Sequence, residues 1–182
     1  MNELEHKAVS KEFVTDKEQL INELMNENGD GVLHLVFTYV KNRTIAEDLT
    51  QEIFIKCYEK LEQFNYQASI KTWLYRIASN HCKDYLRSWH YRKLILNEKI
   101  LDYIPSSSKD VDAEVISKNE EESLTNAVME LPIKYREVVV LHYYEELPLA
   151  EISKITSVNV NTIKTRLKRA KEILKEHMIE EV

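Results

Sequence analysis

Apolar residues recur every three or four positions along most of this chain, which is the spacing of amphipathic helices. No segment keeps the two-residue alternation of a half-buried strand. The predicted helices cover 16–26, 32–42, 44–64, 72–89, 131–147, 149–156 and a last segment beginning at 161. Only two Gly and three Pro are present in 182 residues, too few for the tight turns of a sheet protein. We therefore expect an all-α fold.

Local signals predict where several helices begin and end. The segment NENGDG, 26–31, is expected to cap or interrupt the first helix. Thr44, with Glu47 three residues later, has the pattern of a capping box. Pro132 suits the first turn of a helix, whose packing surface is predicted to consist of Val138, Val139, Leu141 and Tyr144. Asn161 is the preferred N-cap of the last helix, with Asn159 as the alternative.

A change in composition divides the chain into two small helical domains. The segment IPSSSKDVDAE, 104–114, combines Pro, a Ser run and acidic residues, and has little to bury, so it is predicted to be a flexible linker. The predicted organisation is a polar tail at 1–14, a helical domain at 15–100, the linker at 101–115 and a second helical domain at 116–182.

Charge is distributed unevenly along the sequence. The formal net charge is -6, yet basic residues dominate the segments 71–99 and 154–175. Acidic residues dominate 105–130, between them. Two basic blocks separated by an acidic one indicate two distinct contact surfaces and not one diffuse polycation.

The predicted helix 72–89 has two contrasting faces. Its apolar stripe contains Leu74, Ile77, Ala78, His81 and Tyr85. The opposite row contains Trp73, Arg76, Asn80, Lys83 and Arg87. Cations beside an aromatic ring suit single-stranded nucleic acid, because bases stack on rings while phosphates pair with Lys and Arg. An ordinary solvated face is the alternative explanation of this row.

The segment 149–174 has the layout of a helix-turn-helix, with a short helix, the turn SVNV and a longer helix. The apolar seam of the longer helix consists of Ile163, Leu167, Ala170 and Leu174. A row of lysines lies beside that seam, at Lys164, Lys168, Lys171 and Lys175. Thr165 and Arg169 point away from the seam and Arg166 flanks it, so the helix could present base-reading and phosphate-binding side chains to a major groove.

Several classes of protein lack support in the sequence. Cys57 and Cys82 have no metal-ligand spacing and are predicted to be reduced core thiols of a cytoplasmic protein. His81 beside Cys82 has no second ligand pair, so no metal site is predicted. Neither a secretory signal nor a membrane-spanning run is present. No phosphate loop or nucleophile–base arrangement indicates an enzyme, and no catalytic residue or cofactor is predicted.

Three segments in order resemble the bacterial RNA polymerase sigma factors of the extracytoplasmic-function group, within the sigma-70 family. AEDLTQEIFIKCYEKLEQF, 46–64, is similar to the helix that grips the polymerase clamp helices. KTWLYRIASNHCKDYLR, 71–87, is similar to the promoter-melting helix. The segment 131–174 is similar to the domain that binds the upstream promoter element. Together they span nearly the whole chain after the first dozen residues.

The resemblance implies a role for particular residues. The implied polymerase-binding residues are Asp48, Gln51, Glu52 and Phe54. The implied minus-ten DNA-binding residues are Phe64, Lys71, Trp73, Tyr75, Arg76, Asn80, Lys83 and Arg87. The implied minus-thirty-five DNA-binding residues are Asn161, Thr162, Lys164, Thr165, Arg166, Lys168 and Arg169. Glu146, Ser157 and Asn161 stand where the family often has Gly.

The function implied is transcription initiation without bond-changing chemistry. The factor would bind the clamp helices and flap of core RNA polymerase, read duplex and single-stranded promoter DNA, and be held by an anti-sigma factor, with no insertion into the membrane. A polymerase-independent helix-turn-helix regulator is the alternative, and a structural adaptor is a further one. Because the net charge is -6, we expect the free chain to bind DNA poorly.

Overall fold

The structure, a computed structural model, describes the backbone of residues 3–88 and 117–180 and the side chains of 17–88 and 124–177. The helices are α1 (Glu3–Val40), α2 (Arg43–Lys60), α3 (Ile70–Arg87), α4 (Ser117–Glu130), α5 (Ile133–Val139), α6 (Leu149–Thr156) and α7 (Val160–Glu180). No strand occurs in the two described ranges, which confirms the all-α prediction. The predicted linker at 101–115 and the predicted end of the helix 72–89 at Trp89 lie outside the described residues.

Helix α1 continues through NENGDG, so the predicted interruption at 26–31 is wrong. Each Gly in a helix interior costs about 1 kcal/mol relative to Ala, which one stable helix can absorb. Burial offsets that cost here, because Leu24 precedes the segment and Val32 and Leu35 follow it in the core. Asn28 also remains helical, since its buried side-chain amide donates to the Leu24 carbonyl at 3.2 Å.

The start of α2 differs from the capping box predicted at Thr44. Asn42 caps the helix, because its Oδ1 accepts a hydrogen bond from the Ile45 N–H at 3.0 Å. Glu47 instead pairs with Arg43 at 2.5 Å across one turn of the helix. Asn is at least as good an N-cap as Thr, and the backbone of Asn42 is extended, as an N-cap requires. The helix therefore begins after Asn42 and not after Thr44. Lys41, just before it, has a left-handed φ of 53° that turns the chain out of α1.

After α5 the chain forms a π-helical turn, Val140–Tyr144, instead of continuing as α-helix. A π turn adds one residue to the helical repeat, so side chains beyond it change face. Val138, Val139 and Leu141 are buried as predicted. Tyr144, which the regular spacing assigned to the packing surface, is 58% exposed, and Val140 is buried instead. The predicted contribution of Tyr144 to the core is therefore wrong.

Two helical units pack on each other through a shared core. Helices α1, α2 and α3 contact one another, and α7 contacts α4, α5 and α6. Contacts between the units join α3 to α6 and α1 to α5. The buried apolar residues of both units form one continuous cluster. No described helix is long and apolar enough to cross a membrane.

The two cysteines are free and buried in this cluster, as the sequence predicted. Burial raises the pKa of Cys57 and of Cys82 to about 12. A free thiol has a pKa of about 8.5, so the unfolded chain ionises its thiols at a pH where the folded chain keeps them neutral.

The first prediction concerns alkaline stability. Between about pH 8 and 10 the free energy of unfolding should fall as pH rises, because only the unfolded thiols lose protons. Urea unfolding at several pH values measures this slope. Replacing both cysteines, Cys57→Ala with Cys82→Ala, should flatten it in the same range. An unchanged slope in the double variant would contradict the assignment.

The second prediction concerns Ser157, the C-cap of α6, which has a left-handed φ of 58°. This conformation costs any residue with a Cβ about 1–2 kcal/mol relative to Gly. Ser157→Gly should therefore raise the free energy of unfolding by about 1 kcal/mol, measured by urea denaturation. Ser153→Gly, inside the same helix, is the control and should lower it by about 0.5–1 kcal/mol.

Candidate nucleic-acid and polymerase interfaces

Helix α7 presents the cationic surface that its sequence predicted. Ile163, Leu167 and Ala170 are buried at its seam, and Leu174 is half-buried. The exposed side chains include Lys164, Thr165, Lys168, Arg169, Lys171 and Lys175. The seam packs α7 onto α4, α5 and α6, which leaves these polar residues directed outward. Helix α7 therefore packs on its neighbours through its apolar seam, and its polar side chains are accessible to a partner.

The N-cap of α7 is Asn159, so the preferred assignment to Asn161 is wrong and the alternative is right. The Asn159 Oδ1 accepts hydrogen bonds from the Thr162 N–H at 2.9 Å and from the Thr162 hydroxyl at 3.1 Å. Asn161 lies one residue inside the helix and is exposed. Its backbone carbonyl accepts a hydrogen bond from the Thr165 hydroxyl at 3.0 Å. Asn161 is thus positioned as a surface residue of the first turn.

A cleft of about 540 Å³ runs beside this surface. Its lining consists of Lys134, Tyr135, Thr162, Thr165, Arg166, Lys168, Arg169 and Glu172. Lys134 and Tyr135 come from α5 and were missed by the sequence analysis, because no motif connects them to α7. The Lys134 ammonium lies 4.8 Å from the centre of the Tyr135 ring. The guanidinium of Arg169 pairs with Glu172 at 3.0 Å, and this hydrogen bond raises the pKa of Arg169.

An aromatic cluster occupies the loop before α3. The ring of Phe64 lies between Tyr66 and Trp73, with centroid distances of 4.7 Å and 5.4 Å. Tyr66 is 85% exposed and has a left-handed φ of 58°, so the backbone turns its ring outward. Phe64, Tyr66 and Ile70 contribute to a cleft of about 1040 Å³. An exposed ring beside two others can stack on an unpaired base. Tyr66 is not among the minus-ten residues implied by the sequence.

The predicted minus-ten residues on α3 are divided between two faces. Arg76, Asn80 and Arg87 are exposed, with Trp73 half-buried beside them. Lys71, Tyr75 and Lys83 instead face the C-terminal unit, which places Lys83 in a different row from the one predicted. The Lys71 ammonium lies 3.5 Å from a Glu145 carboxylate oxygen.

Tyr75 is completely buried, and its hydroxyl donates a hydrogen bond to Glu145. Burial, followed by that hydrogen bond, raises the pKa of Tyr75 above its ordinary range. As arranged here, neither Tyr75 nor Phe54, which is 4% exposed in the core, can reach a partner with its side chain. Their roles in binding remain predictions.

Helix α2 has an acidic outer surface. Glu47, Asp48, Gln51, Glu52 and Glu59 are all exposed. Glu52 contacts Nε2 of His81 at 2.8 Å, while Nδ1 of His81 lies 2.6 Å from the Lys56 ammonium. His81 therefore joins α2 to α3 and is half-buried, which differs from its predicted place in the apolar stripe. Among the described residues no cluster of His, Cys, Asp or Glu is arranged to hold a metal ion.

Comparison with known proteins gives two matching family models. The model described as Sigma-70 region 2 matches residues 24–91, and that described as Sigma-70, region 4 matches 121–174. SigW, an ECF RNA polymerase sigma factor of Bacillus subtilis (strain 168), is 33% identical over 156 residues, covering 82% of this chain and 83% of that protein. The ECF RNA polymerase sigma-E factor of Haemophilus influenzae is 30% identical over 179 residues, covering 94% of each.

Two solved structures have a similar fold. CnrH in complex with the cytosolic domain of CnrY has a TM-score of 0.66 at 17% identity, covering 91% of each chain. The sigma factor RpoE of Bartonella quintana, in complex with the anti-sigma factor NepR, has a TM-score of 0.66 at 20% identity, covering 88% of this chain and 97% of that one.

The third prediction tests the cap of α7. Asn159→Ala removes the acceptor for the Thr162 N–H and should lower the free energy of unfolding by about 1 kcal/mol. Asn161→Ala is the matched control and should leave stability nearly unchanged, since its side chain caps nothing. Urea unfolding of both variants measures the difference. Equal effects of the two substitutions would contradict the observed cap.

Proposed function

This chain belongs to the extracytoplasmic-function group of the sigma-70 family. On that premise we propose which of its surfaces bind promoter DNA and which binds core RNA polymerase. It is a transcription initiation factor that directs core RNA polymerase to promoters. The observation that supports our assignment is the presence of two chemically different polar surfaces on separate helices. The α7 surface is cationic and suits duplex DNA, whereas the α3 surface combines aromatic and cationic side chains and suits a single strand.

The α7 surface is assigned to the minus-thirty-five element. Arg169 and Lys164 are exposed and suited to guanine edges, while Thr165 offers a hydroxyl and a methyl group. Lys168 and Lys171 would contact phosphates, which position the helix without specifying sequence. Lys134 from α5 extends the positive surface across the cleft. Glu172 orients Arg169 in the free chain and would release it to DNA.

The α3 surface and its preceding loop are assigned to the minus-ten element. Tyr66, Phe64 and Trp73 form a ready-made stacking platform, and Asn80 with Arg76 lies on the adjoining exposed face. Extruding a base from a duplex costs a few kcal/mol, and stacking contributes about 1–3 kcal/mol per base. The factor would therefore promote melting by binding the exposed strand better than the duplex, which is a population shift.

The acidic surface of α2 is assigned to core polymerase. Asp48, Gln51 and Glu52 are exposed, and the two carboxylates would repel phosphate, so a protein partner with basic residues fits this surface best. The function requires no catalytic residue of this chain, and it would be exercised in the cytoplasm, where core polymerase acts. An anti-sigma factor is a further proposed partner, since RpoE of Bartonella quintana, which has a similar fold, is found in a complex with one.

The fourth prediction tests the assignments by transcription with purified core polymerase on fragments of the chain's own genome. Initiation at specific promoters should depend on the chain. Arg169→Ala should lower promoter binding by about tenfold, because a base contact of this type contributes about 1–3 kcal/mol. Trp73→Ala should lower open-complex formation, seen as permanganate reactivity of unpaired thymines, by about tenfold without weakening the complex with core polymerase.

Matched controls separate these effects from general damage. Lys154→Ala removes another exposed cation of the C-terminal unit, and Tyr144→Ala removes another exposed ring. Asp48→Ala should weaken copurification with core polymerase, whereas Glu18→Ala on α1 should not. Palindrome-specific DNA binding by the chain without polymerase would overturn the proposal and favour a regulator that acts alone.

A further inference from the structure

Three polar side chains contact one another in series where α2 packs on α3. We call them the relay, defined by Lys56 and Glu52 of α2 and His81 of α3. The Lys56 ammonium lies 2.6 Å from Nδ1 of His81, and Nε2 of His81 lies 2.8 Å from Oε2 of Glu52. His81 therefore stands between two residues of the neighbouring helix. Glu52 belongs to the surface that we assign to core polymerase, so the inference drawn from the relay rests on that proposed function.

The ammonium of Lys56 fixes the tautomer of the His81 ring. An ammonium has donors and no acceptor, so Nδ1 of His81 must present a lone pair where it meets Lys56. In a neutral imidazole the other nitrogen then carries the proton, so Nε2–H donates to Glu52. The hydrogen bonds thus run in one direction, from Lys56 through His81 to Glu52. The other tautomer would place an N–H against the ammonium and a lone pair against the carboxylate, and both contacts would be lost.

Without His81, the side chains of Glu52 and Lys56 would have each other as partners. They lie four residues apart on α2 with the glutamate first, which is the favourable order for a direct ion pair on a helix surface. A direct pair would draw the carboxylate along α2, towards the C-terminal end of that helix. The relay instead holds the carboxylate beside the His81 ring, next to α3. His81 consequently decides the direction in which Glu52 points.

The His81 ring is enclosed, whereas the carboxylate that it holds is open to a partner. Only 10% of the His81 side chain is exposed, against 56% of the Glu52 side chain. On α3 the positions around His81 are anchored in the core, because Ala78 and Cys82 are completely buried. An enclosed ring on an anchored helix can hold an exposed side chain in one orientation. This is the arrangement expected of a residue that acts through another one.

Packing of α2 on α3 does not depend on the relay. The two helices already share a buried apolar core, which includes Ile53, Cys57, Leu74, Ala78 and Cys82. A hydrogen bond adds little net stability to this core, because water satisfies the same groups in the unfolded chain. The relay therefore contributes orientation of one surface side chain more than it contributes stability.

A fixed orientation favours binding because less conformational freedom remains to be lost. A freely rotating glutamate loses side-chain entropy when it pairs with a partner, and that loss weakens association. We propose that His81 is a positioning residue of the polymerase interface, which orients Glu52 for a basic group of core polymerase and keeps it from pairing with Lys56. The relay uses Oε2 of Glu52, so Oε1 is directed to the partner.

The fifth prediction concerns the affinity of the full chain for purified core polymerase, measured by fluorescence anisotropy of the labelled chain. His81→Leu has neither donor nor acceptor and should weaken binding about fivefold, because Glu52 then turns to Lys56. His81→Gln keeps an acceptor for Lys56 and a donor for Glu52 on one planar amide. It should restore the affinity to within about twofold of the wild type. His34→Leu, at an exposed position of α1, is the matched control and should leave the affinity unchanged.

A double-mutant cycle separates positioning from a general structural effect. If His81 acts through Glu52, adding His81→Leu to a chain that carries Glu52→Ala should cause no further loss of affinity. The same fold loss in both backgrounds would overturn the proposal, and urea unfolding of each variant shows whether stability has changed.

A second measurement needs no variant. In the wild-type chain, nitrogen-15 chemical shifts of the His81 ring should show a proton on Nε2 and a lone pair on Nδ1. A neutral ring protonated on Nδ1 would contradict the relay and overturn the proposal.

The outcomes also distinguish the positioning role from the function on which it rests. If Glu52→Ala loses affinity and His81→Leu does not, the polymerase surface stands and the positioning role alone is overturned. If Glu52→Ala binds as tightly as the wild type, the assignment of Glu52 to that surface is wrong, and the positioning role falls with it. Failure of the wild-type chain to bind core polymerase would overturn the proposed function itself.

Discussion

The buried carboxylate of Glu137 is the constraint on which the arrangement of both units depends. A carboxylate removed from water is stable only when charge and hydrogen bonds compensate it. Here the Tyr39 hydroxyl, the Ser79 hydroxyl and the Lys83 ammonium provide that compensation. Since Tyr39 belongs to α1 and the other two belong to α3, compensation requires α1, α3 and α5 to meet at one point. The packing of the units therefore has a defined geometry as well as an apolar core.

The polar contacts between the units define direction more than they add stability. Burying apolar residues such as Ile152 and Ile155 favours association without regard to direction. The carboxylates of Glu137, Glu145 and Glu151, which contact α3, contribute less to stability, because in the unfolded chain water replaces their partners and the net contribution of such a hydrogen bond is small. Contacts of this kind define one closed arrangement without making it permanent.

What the sequence predicted correctly was mostly local. The seam of α7 and the burial of both cysteines follow from helical spacing and side-chain hydrophobicity, so they needed no tertiary information. The continuation of α1 through residues 26–31 and the exposure of Tyr144 did need it. In the first case core contacts on both sides outweighed two glycines, and in the second a π turn shifted the register. The occupation of Lys71, Tyr75 and Lys83 by glutamates far along the chain has no local signal at all.

The two positive φ angles around α6 show how the C-terminal unit is oriented. Glu146, with φ 54°, precedes the helix, and Ser157, with φ 58°, ends it, at two positions where the family often has Gly. Each side chain makes the left-handed turn costlier than Gly would, by about 1–2 kcal/mol. It also limits the alternative conformations of the unfolded turn, which partly offsets that cost. Helix α6 carries Glu151 towards α3 and also contacts α7, so these two turns set the angle between α3 and α7.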